Sequence, residues 1–426
     1  MSKTRAKPAK IDILPIFDDA KHFSLTPAFP AYLPKYSKFE ADYIAVHAFL
    51  RAYRDVIPTF NAYRRITEQL LHATWEHNKS IFELSGYDIE NFIKFCQNPP
   101  KAWIGTSKPP RFIKKDGLRA PNPQWRPFVA TVSKIETRQG KKPQPENYQL
   151  SQKAIREIFA VLSSFYNFAI QESYTLINPV LQIRQKSKFI RKRQSKAKIR
   201  RLSELQWSFV IETVKKLADD ARKIKEKKQT EKYAMKEERA LFIITALYAM
   251  YLRVSELVIS ERWAPKMSDF YRDHDGNWWF TTVGKGNKER QIAVSDSMLS
   301  ALRRWRKYLN LSPLPSAGDQ SPLILKLRGK GGITNTNQIR NIVQECFDAA
   351  ITKMREDGFA EEADGLQSAT VHWLRHTGIS DDVKIRPREH VRDDAGHSSS
   401  QTTDRYIDID LRERHRSAKK KPIDDK

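Results

Sequence analysis

A run of basic residues near the middle of the chain divides it into two parts. From Arg184 to Arg201 the sequence contains ten lysines or arginines and no acidic residue. Repulsion between like charges keeps such a run from folding alone. Each flanking part is long enough to bury a core of its own. We therefore expect two globular domains joined by a basic linker at 184–200, which is either a solvated tether or a segment that follows a phosphate backbone.

The overall charge narrows the choice of partner. The chain has 426 residues and a formal net charge of +26. Self-repulsion of this size favours a polyanionic partner, and nucleic acid is the first candidate. A membrane partner is disfavoured, because no run of about 18 apolar residues is present. Cys96 and Cys346 are isolated from each other, which argues against disulfides and a zinc cluster. Since the N-terminus also lacks a secretory signal, we expect a cytoplasmic protein.

The first part of the chain is predicted to be a helical bundle over 37–183, preceded by an arm at 1–36. Apolar residues recur at helical spacing in four segments, and Asn178-Pro179 follows the last of them. Ser85, with Asp88 three residues later, offers a cap for the third helix. The four helices are predicted over Phe39–Tyr53, over Thr59–Trp75, after Ser85 and after Ser151.

A proline-rich insertion at 99–148 interrupts this bundle. It holds nine of the 22 prolines of the chain, interleaved with basic residues and with the aromatic residues Trp103, Phe112, Trp125 and Phe128. Long loops without periodicity are usually functional or disordered. The sequence leaves two interpretations open: the insertion either grips phosphates and stacks on bases, or is a structural arm.

The second part, 201–412, is predicted to be mainly helical with a small antiparallel sheet. Ser203 and Gln206 match a capping box for the first helix. The segment Leu241–Leu252 is apolar on all sides, which is typical of a buried helix. The segment Asp273–Val294 alternates like a β-meander, with a turn at Gly284–Asn287. A basic tail follows at 413–426.

Six side chains in this second part are of the types that are needed when a tyrosine attacks a phosphodiester. Such a reaction needs cations for the developing charge, proton carriers and a nucleophile. Two of the six stand three residues apart, so a helix presents them on one face. An arginine there is a good clamp, because its planar fork matches two phosphate oxygens. An arginine that ends an apolar helix can also be merely a C-terminal cation. The six are Arg253, Lys285, His372, Arg375, His397 and Tyr406.

The order R…K…HxxR…GH…Y resembles that of the tyrosine recombinase (phage integrase) family of site-specific DNA recombinases. Arg253 lies in an Arg-x-Ser-Glu-Leu string, and Gly284–Arg290 is nearly the family's own lysine string. The resemblance implies that the six residues are catalytic and that Glu256 supports Arg253. The segment Val391–Ala395 is more polar than the family's usual apolar stretch. We also expect DNA contacts from Arg191, Lys192, Arg193, Lys288 and Arg290.

The resemblance further implies a two-domain DNA clamp, with a SAM-like core-binding domain followed by the catalytic domain. Its members act without metal or nucleotide cofactor, through a 3′-phosphotyrosyl intermediate, as homotetramers on two double-stranded DNA sites. Accessory DNA-bending or directionality proteins sometimes assist them. The length of the chain favours an integrase from a mobile element. A type IB topoisomerase-like enzyme and a non-catalytic DNA-binding protein derived from a recombinase are the alternatives.

Overall fold

The computed structural model describes residues 13–183, 189, 200–223, 228–284, 287–397 and 419, without the side chains of 228–231. The chain forms two compact units, Met1–Gln194 and Ser195–Lys426. The predicted linker 184–200 and the predicted tail 413–426 lie almost wholly outside the described residues, so their bounds stay predictions. In the described part of the chain, no helix is both long and apolar enough to cross a membrane.

The first unit contains the four expected helices and one short additional helix. Ser85 and Asp88 form the predicted capping box at the start of the third long helix, and the Ser151 side chain accepts the Ala154 N–H at the start of the last. These signals are local, which is why the sequence reveals them. The helices are α1 (Ser37–Ala52), α2 (Ile57–Trp75), α3 (Gly86–Gln97), α4 (Lys134–Arg138) and α5 (Gln152–Gln171).

The N-terminal segment was predicted to be an arm, but in the structure it is part of the first unit. From residue 13 onward it packs into the core of the first unit, where Ile16, Phe17, Phe23 and Leu33 are buried. The side chain of Glu68 on α2 accepts hydrogen bonds from the N–H groups of Ile16 (2.5 Å) and Phe17 (3.3 Å). Because this segment is not helical, its buried residues show no helical spacing in the sequence.

The insertion at 99–148 is a folded part of the same unit. Strand β1 (Ile104–Gly105) pairs in parallel with β4 (Phe128–Val129), and β2 (Phe112–Lys115) pairs antiparallel with β3 (Leu118–Pro121). Trp103, Trp125 and Phe128 are buried. These three rings therefore stabilise the unit and are not exposed for stacking on bases.

The second unit is mainly helical around a three-stranded antiparallel meander, so the predicted fold class is confirmed. The predicted capping box is present, with Ser203 N–H bonded to Gln206 Oε1 (3.0 Å) and Gln206 N–H to Ser203 Oγ (3.2 Å). The strands pair in the order β5-β6-β7. The elements are α6 (Glu204–Lys223), α7 (Lys228–Ala249), β5 (Phe270–Arg272), β6 (Trp278–Val283), β7 (Glu289–Ala293), α8 (Asp296–Tyr308), α9 (Thr336–Glu356), α10 (Ala360–Gln367), α11 (Val371–Asp382) and α12 (Arg388–Ala395).

Helix α7 lies in the core of this unit, and its apolar residues Phe242, Ile243, Ile244 and Leu247 are buried. Gly378 on α11 faces the Tyr248 carbonyl of α7, and a Cβ at that position would collide with the carbonyl oxygen. The close approach of α11 and α7 therefore depends on a glycine. It brings the end of α7 next to the face of α11 that carries His372 and Arg375.

Glu68 should be essential for anchoring the N-terminal segment. Its side chain is almost fully buried and pairs with Arg111 of the insertion. Glu68→Gln leaves that guanidinium without a buried counter-charge, which should destabilise the first unit by about 3 kcal/mol. Native-state hydrogen exchange of the Ile16 and Phe17 amides measures the effect. The exposed Glu76→Gln, directly after the same helix, is the control, and equal protection in both variants would contradict the role of Glu68.

Candidate active site

Arg253 lies just beyond α7, where the chain enters a short 3₁₀ turn at Val254–Glu256. The Glu256 carboxylate folds back on this turn. It accepts the Arg253 backbone N–H at 2.8 Å and Arg253 Nη1 at 3.0 Å. The carboxylate therefore fixes both the backbone and the side chain of Arg253.

The same carboxylate binds a second arginine. Arg290 Nη1 and Nη2 donate to the two oxygens of Glu256 at 2.6 and 2.8 Å. Burial alone would raise the pKa of Glu256, but the hydrogen bonds and charge of Arg290, with those of Arg253, outweigh it and lower this pKa. A Cβ at Gly284 would lie within 3.1–3.3 Å of Arg290 Nη1, Arg253 Nη1 and Glu256 Oε1. The glycine thus leaves room for this cluster.

The structure does not support the predicted contact between Arg290 and DNA. Its side chain is only 9% exposed, and besides Glu256 it binds the Asp394 carbonyl through Nε at 2.9 Å. Its guanidinium is thereby committed to holding β7, the 3₁₀ turn and the end of α12 together. Lys288, by contrast, is exposed, as a DNA contact requires. The other predicted residues lie outside the described part of the chain: Lys285, Tyr406, Arg191, Lys192 and Arg193.

Arg375 on α11 is buried and reaches the ends of two other helices. Its Nη1 donates to the Tyr251 carbonyl just after α7, and its Nη2 donates to the Ala395 carbonyl at the end of α12 at 2.5 Å. The Ala395 carbonyl ends α12, where carbonyls lack intrahelical donors and carry partial negative charge, so it is a good partner for a guanidinium. Arg375 Nη2 also lies 3.4 Å from His397 Nε2.

His397 directly follows the left-handed residue that ends α12. Gly396 has φ +63°, and a Cβ there would lie 2.7 Å from Arg290 Cδ. Burial, followed by the charges of Arg375, Arg253 and Arg290, lowers the pKa of His397 to about 4. Burial, then the charges of Arg340, Arg375 and Arg253, also lowers the pKa of His372. Both imidazoles are therefore neutral near pH 7 and able to accept a proton.

A second ion pair near the site, between the buried Asp394 and the partly exposed Arg386, was not visible in the sequence. Asp394 accepts Arg386 Nη2 at 2.6 Å and the Ala293 N–H of β7 at 3.2 Å. Arg386 Nη1 also donates to the Tyr251 hydroxyl at 3.0 Å. This pairing explains why the unusually polar segment Val391–Ala395 still packs well: Val391 and Ala395 face the core, while Asp394 joins α12 to the sheet.

Among the described residues, the second unit brings four of the six predicted catalytic side chains together: Arg253, His372, Arg375 and His397. They offer two guanidiniums and two neutral imidazoles, a combination that suits an anion undergoing proton transfer. Groups placed to share a metal ion occur in the described residues only at Asp18, Asp19 and His22, in the first unit. The geometry therefore describes an anion site built by arginines and histidines.

Asp394 should be needed for the local structure around His397. Asp394→Asn removes the charge that binds Arg386, which is itself partly exposed, so the loss should be about 1–2 kcal/mol. Hydrogen exchange of the Ala293 amide and denaturant unfolding measure it. The neighbouring Asp393→Asn, on an exposed side chain, should stay within about 0.5 kcal/mol of the wild type. Equal behaviour of the two variants would contradict the assigned contact.

Comparisons with known proteins agree with this site. Residues 212–413 match the phage integrase family. The tyrosine recombinase XerC of Thermodesulfovibrio yellowstonii is 25% identical over 272 residues, which cover 62% of this chain and 73% of the relative. The tyrosine recombinase XerC of Corynebacterium glutamicum is 30% identical over 169 residues, covering 39% of this chain and 46% of the relative.

Two solved structures also align with most of the chain. One is the XerH site-specific recombinase bound to a palindromic difH substrate, with a TM-score of 0.48, 15% identity and coverage of 90% of this chain and 84% of that one. The other is the Tn1549 transposon integrase with transposon right-end DNA, with a TM-score of 0.49, 13% identity and coverage of 88% and 98%. The matched residues 212–413 contain the entire arginine and histidine site. Over residues 212–413 the chain is therefore similar to the phage integrase family and to proteins named as tyrosine recombinases.

Proposed function

We propose that this enzyme cuts and rejoins DNA strands through a covalent 3′-phosphotyrosyl intermediate on Tyr406. The observation that supports this most strongly is the convergence of Arg253, Arg375 and His397 in one partly buried site. Arg253 Nη2 and Arg375 Nη2 point to the same short segment, at the carbonyls of Gly396 (3.5 Å) and Ala395 (2.5 Å). A phosphate held beside His397 would meet both guanidiniums.

The two arginines are suited to the charge that develops on a phosphorane. Arg253 is oriented by Glu256, and Arg375 by two backbone carbonyls. Donors that are already oriented need no reorganisation during the reaction, and losing one typically costs about 10²–10³ in rate. Two guanidiniums that are held before substrate binds therefore account for a large part of the rate enhancement.

Proton transfer completes the proposed step. The Tyr406 oxygen forms a bond to phosphorus, and the bond from phosphorus to the 5′-oxygen breaks. The tyrosine proton passes to a neutral imidazole, for which His397 and His372 are the candidates. Lys285, between β6 and β7, donates a proton to the leaving 5′-oxygen. The 5′-hydroxyl of the partner strand then attacks the phosphotyrosine, and the same bond changes and proton transfers occur in reverse. The energy of the phosphodiester is thereby conserved, so no nucleotide cofactor is needed.

The proposed partner is double-stranded DNA carrying recombination sites, bound by a homotetramer on two sites. The net charge of +26 favours it, and XerH and the Tn1549 integrase are solved with DNA. We assign phosphate contacts to Lys288 and to the linker residues Arg191, Lys192 and Arg193. An origin in a mobile element, a cytoplasmic location and the use of accessory proteins belong to the same proposal.

A type IB topoisomerase-like enzyme would use the same chemistry, and a binding protein derived from a recombinase would use none. Supercoil relaxation and recombination between two sites, measured on plasmids with the same enzyme, separate these functions. Exchange of markers between two target sites supports recombination. Relaxation without exchange would favour the topoisomerase.

Tyr406→Phe should abolish covalent attachment to DNA and leave binding nearly intact, because only the nucleophilic oxygen is lost. A suicide duplex nicked next to the cleavage point traps the wild type as an adduct that can be counted on a denaturing gel. Tyr233→Phe, at an exposed tyrosine of α7, is the matched control and should form the adduct normally. An adduct formed by the Tyr406 variant would show that another residue is the nucleophile.

Lys285→Ala should cripple cleavage when the leaving group is an ordinary 5′-oxygen. A bridging 5′-phosphorothiolate needs no proton on its sulfur, so it should largely restore the cleavage rate of the variant. Single-turnover rates of Lys285→Ala and of Lys288→Ala on both substrates give the comparison, because Lys288 is the alternative general acid. If Lys285→Ala is equally slow on both substrates, Lys285 is not the general acid.

A further inference from the structure

We propose that the hairpin formed by β2 and β3 in the first unit is a DNA-binding element that enters a groove of the duplex. This inference rests on the proposed function, which makes duplex DNA the substrate. It adds a contact from a part of the chain that lies outside residues 212–413, where the family match is found. The hairpin consists of Phe112–Lys115 and Leu118–Pro121, joined by Asp116 and Gly117.

The base of the hairpin is firmly held. Arg111, directly before β2, pairs with the buried Glu68, donates Nε to the Phe17 carbonyl at 3.1 Å, and lies 4.5 Å over the Trp125 ring. The Asn122 N–H, directly after β3, donates to the Arg111 carbonyl at 2.8 Å. These contacts fix the hairpin to the core and leave its distal half in solvent.

The distal half exposes apolar and basic side chains together. Leu118 is 75% exposed and Ile113 is 37% exposed, and Lys114 and Lys115 are exposed as well. Lys115 is paired with Leu118 across the strands, and residues two apart on a strand share a face. Ile113, Lys115 and Leu118 therefore lie on one face of the ribbon.

The opposite face is already occupied. Arg119, which is paired with Lys114 across the strands, donates to both carboxylate oxygens of Asp18 at 2.7 Å. This ion pair holds one side of the ribbon against the N-terminal segment. The face with Ile113, Lys115 and Leu118 is turned away from it and is the one available to a partner.

Charge decides which partner suits this face. Residues 106–131 contain six basic residues and one acid, Asp116. Arg111 and Arg119 are paired with acids of other segments, so Lys115 supplies the positive charge of the available face. A two-stranded ribbon of four residues per strand, about 13 Å long, fits a major groove about 12 Å wide. Lys115 can bind a phosphate, while exposed aliphatic side chains can contact thymine methyl groups or wedge between bases. A duplex explains the lysine and the apolar residues together.

The test is the salt dependence of duplex binding by the full chain. Lys115→Ala should lower the slope of log K against log salt by about 1 unit, because one phosphate contact no longer releases counterions. The matched control is Lys142→Ala, which removes the same charge from an exposed residue of the same insertion. That control should keep the slope of the wild type. Equal slopes for the two variants would overturn the inference.

Leu118→Ala provides an independent test, because it removes apolar contact and no charge. It should weaken duplex binding roughly five- to ten-fold and leave the salt slope unchanged. Hydrogen exchange of residues 112–121 in the wild type should slow when duplex is added. This measurement uses only the wild type, so it does not depend on whether a variant folds. Unchanged exchange at saturating duplex would contradict the proposal. So would a dimer that forms without DNA and dissociates in Leu118→Ala, since the occupant would then be a second copy.

The suicide duplex separates this inference from the proposed function. A wild type that forms the adduct while the hairpin variants bind like their control would remove the hairpin from the interface and leave the function intact. A wild type that binds duplex through the hairpin but forms no adduct would refute the strand-exchange mechanism alone. Absence of duplex binding by the wild type would overturn both.

Discussion

The candidate active site depends on one buried carboxylate, that of Glu256. A buried carboxylate is tolerated only when its charge is paired and its oxygens are hydrogen-bonded, and Glu256 meets this requirement with two arginines. Because two guanidiniums share one carboxylate, the cluster keeps a net positive charge. It can therefore hold Arg253 in place and still attract a phosphate. A surface ion pair of one arginine and one acid would do neither as well.

Arg290 also helps to position His397. By binding both Glu256 and the Asp394 carbonyl, it connects the turn after α7 with the end of α12. The pair of Asp394 and Arg386 makes a second connection between α12 and neighbouring elements. His397 follows α12 by only two residues, so its position is set by groups that take no part in the chemistry. Arg375 then joins the same helix ends through their carbonyls.

The features predicted from the sequence are those that depend on residues close together in the chain. The capping boxes at Ser85 and Ser203 and the helical spacing of α5 follow from residues a few positions apart, and the structure contains them. The approach of Arg253, Arg375 and His397 was predictable only through the resemblance to a family, since more than a hundred residues separate the first from the others. Lys285 and Tyr406 lie outside the described residues, and their roles stay predictions.

Long-range pairing explains what the sequence did not reveal. Arg290 was expected to contact DNA, but its buried partner Glu256 is 34 residues away in the sequence. The buried rings of the insertion have no periodicity, because strands of two to four residues and irregular segments carry them. The same applies to the segment from residue 13 to 36, whose anchoring acid, Glu68, belongs to a helix further along the chain.

A structure of the enzyme joined to a nicked suicide duplex would test the central claim most directly. We predict that the phosphate bonded to Tyr406 lies within hydrogen-bonding distance of the guanidiniums of Arg253 and Arg375, with Glu256 still bound to Arg290. A phosphate bound away from these two arginines, or an Arg253 side chain turned from it toward Glu256 alone, would contradict the account.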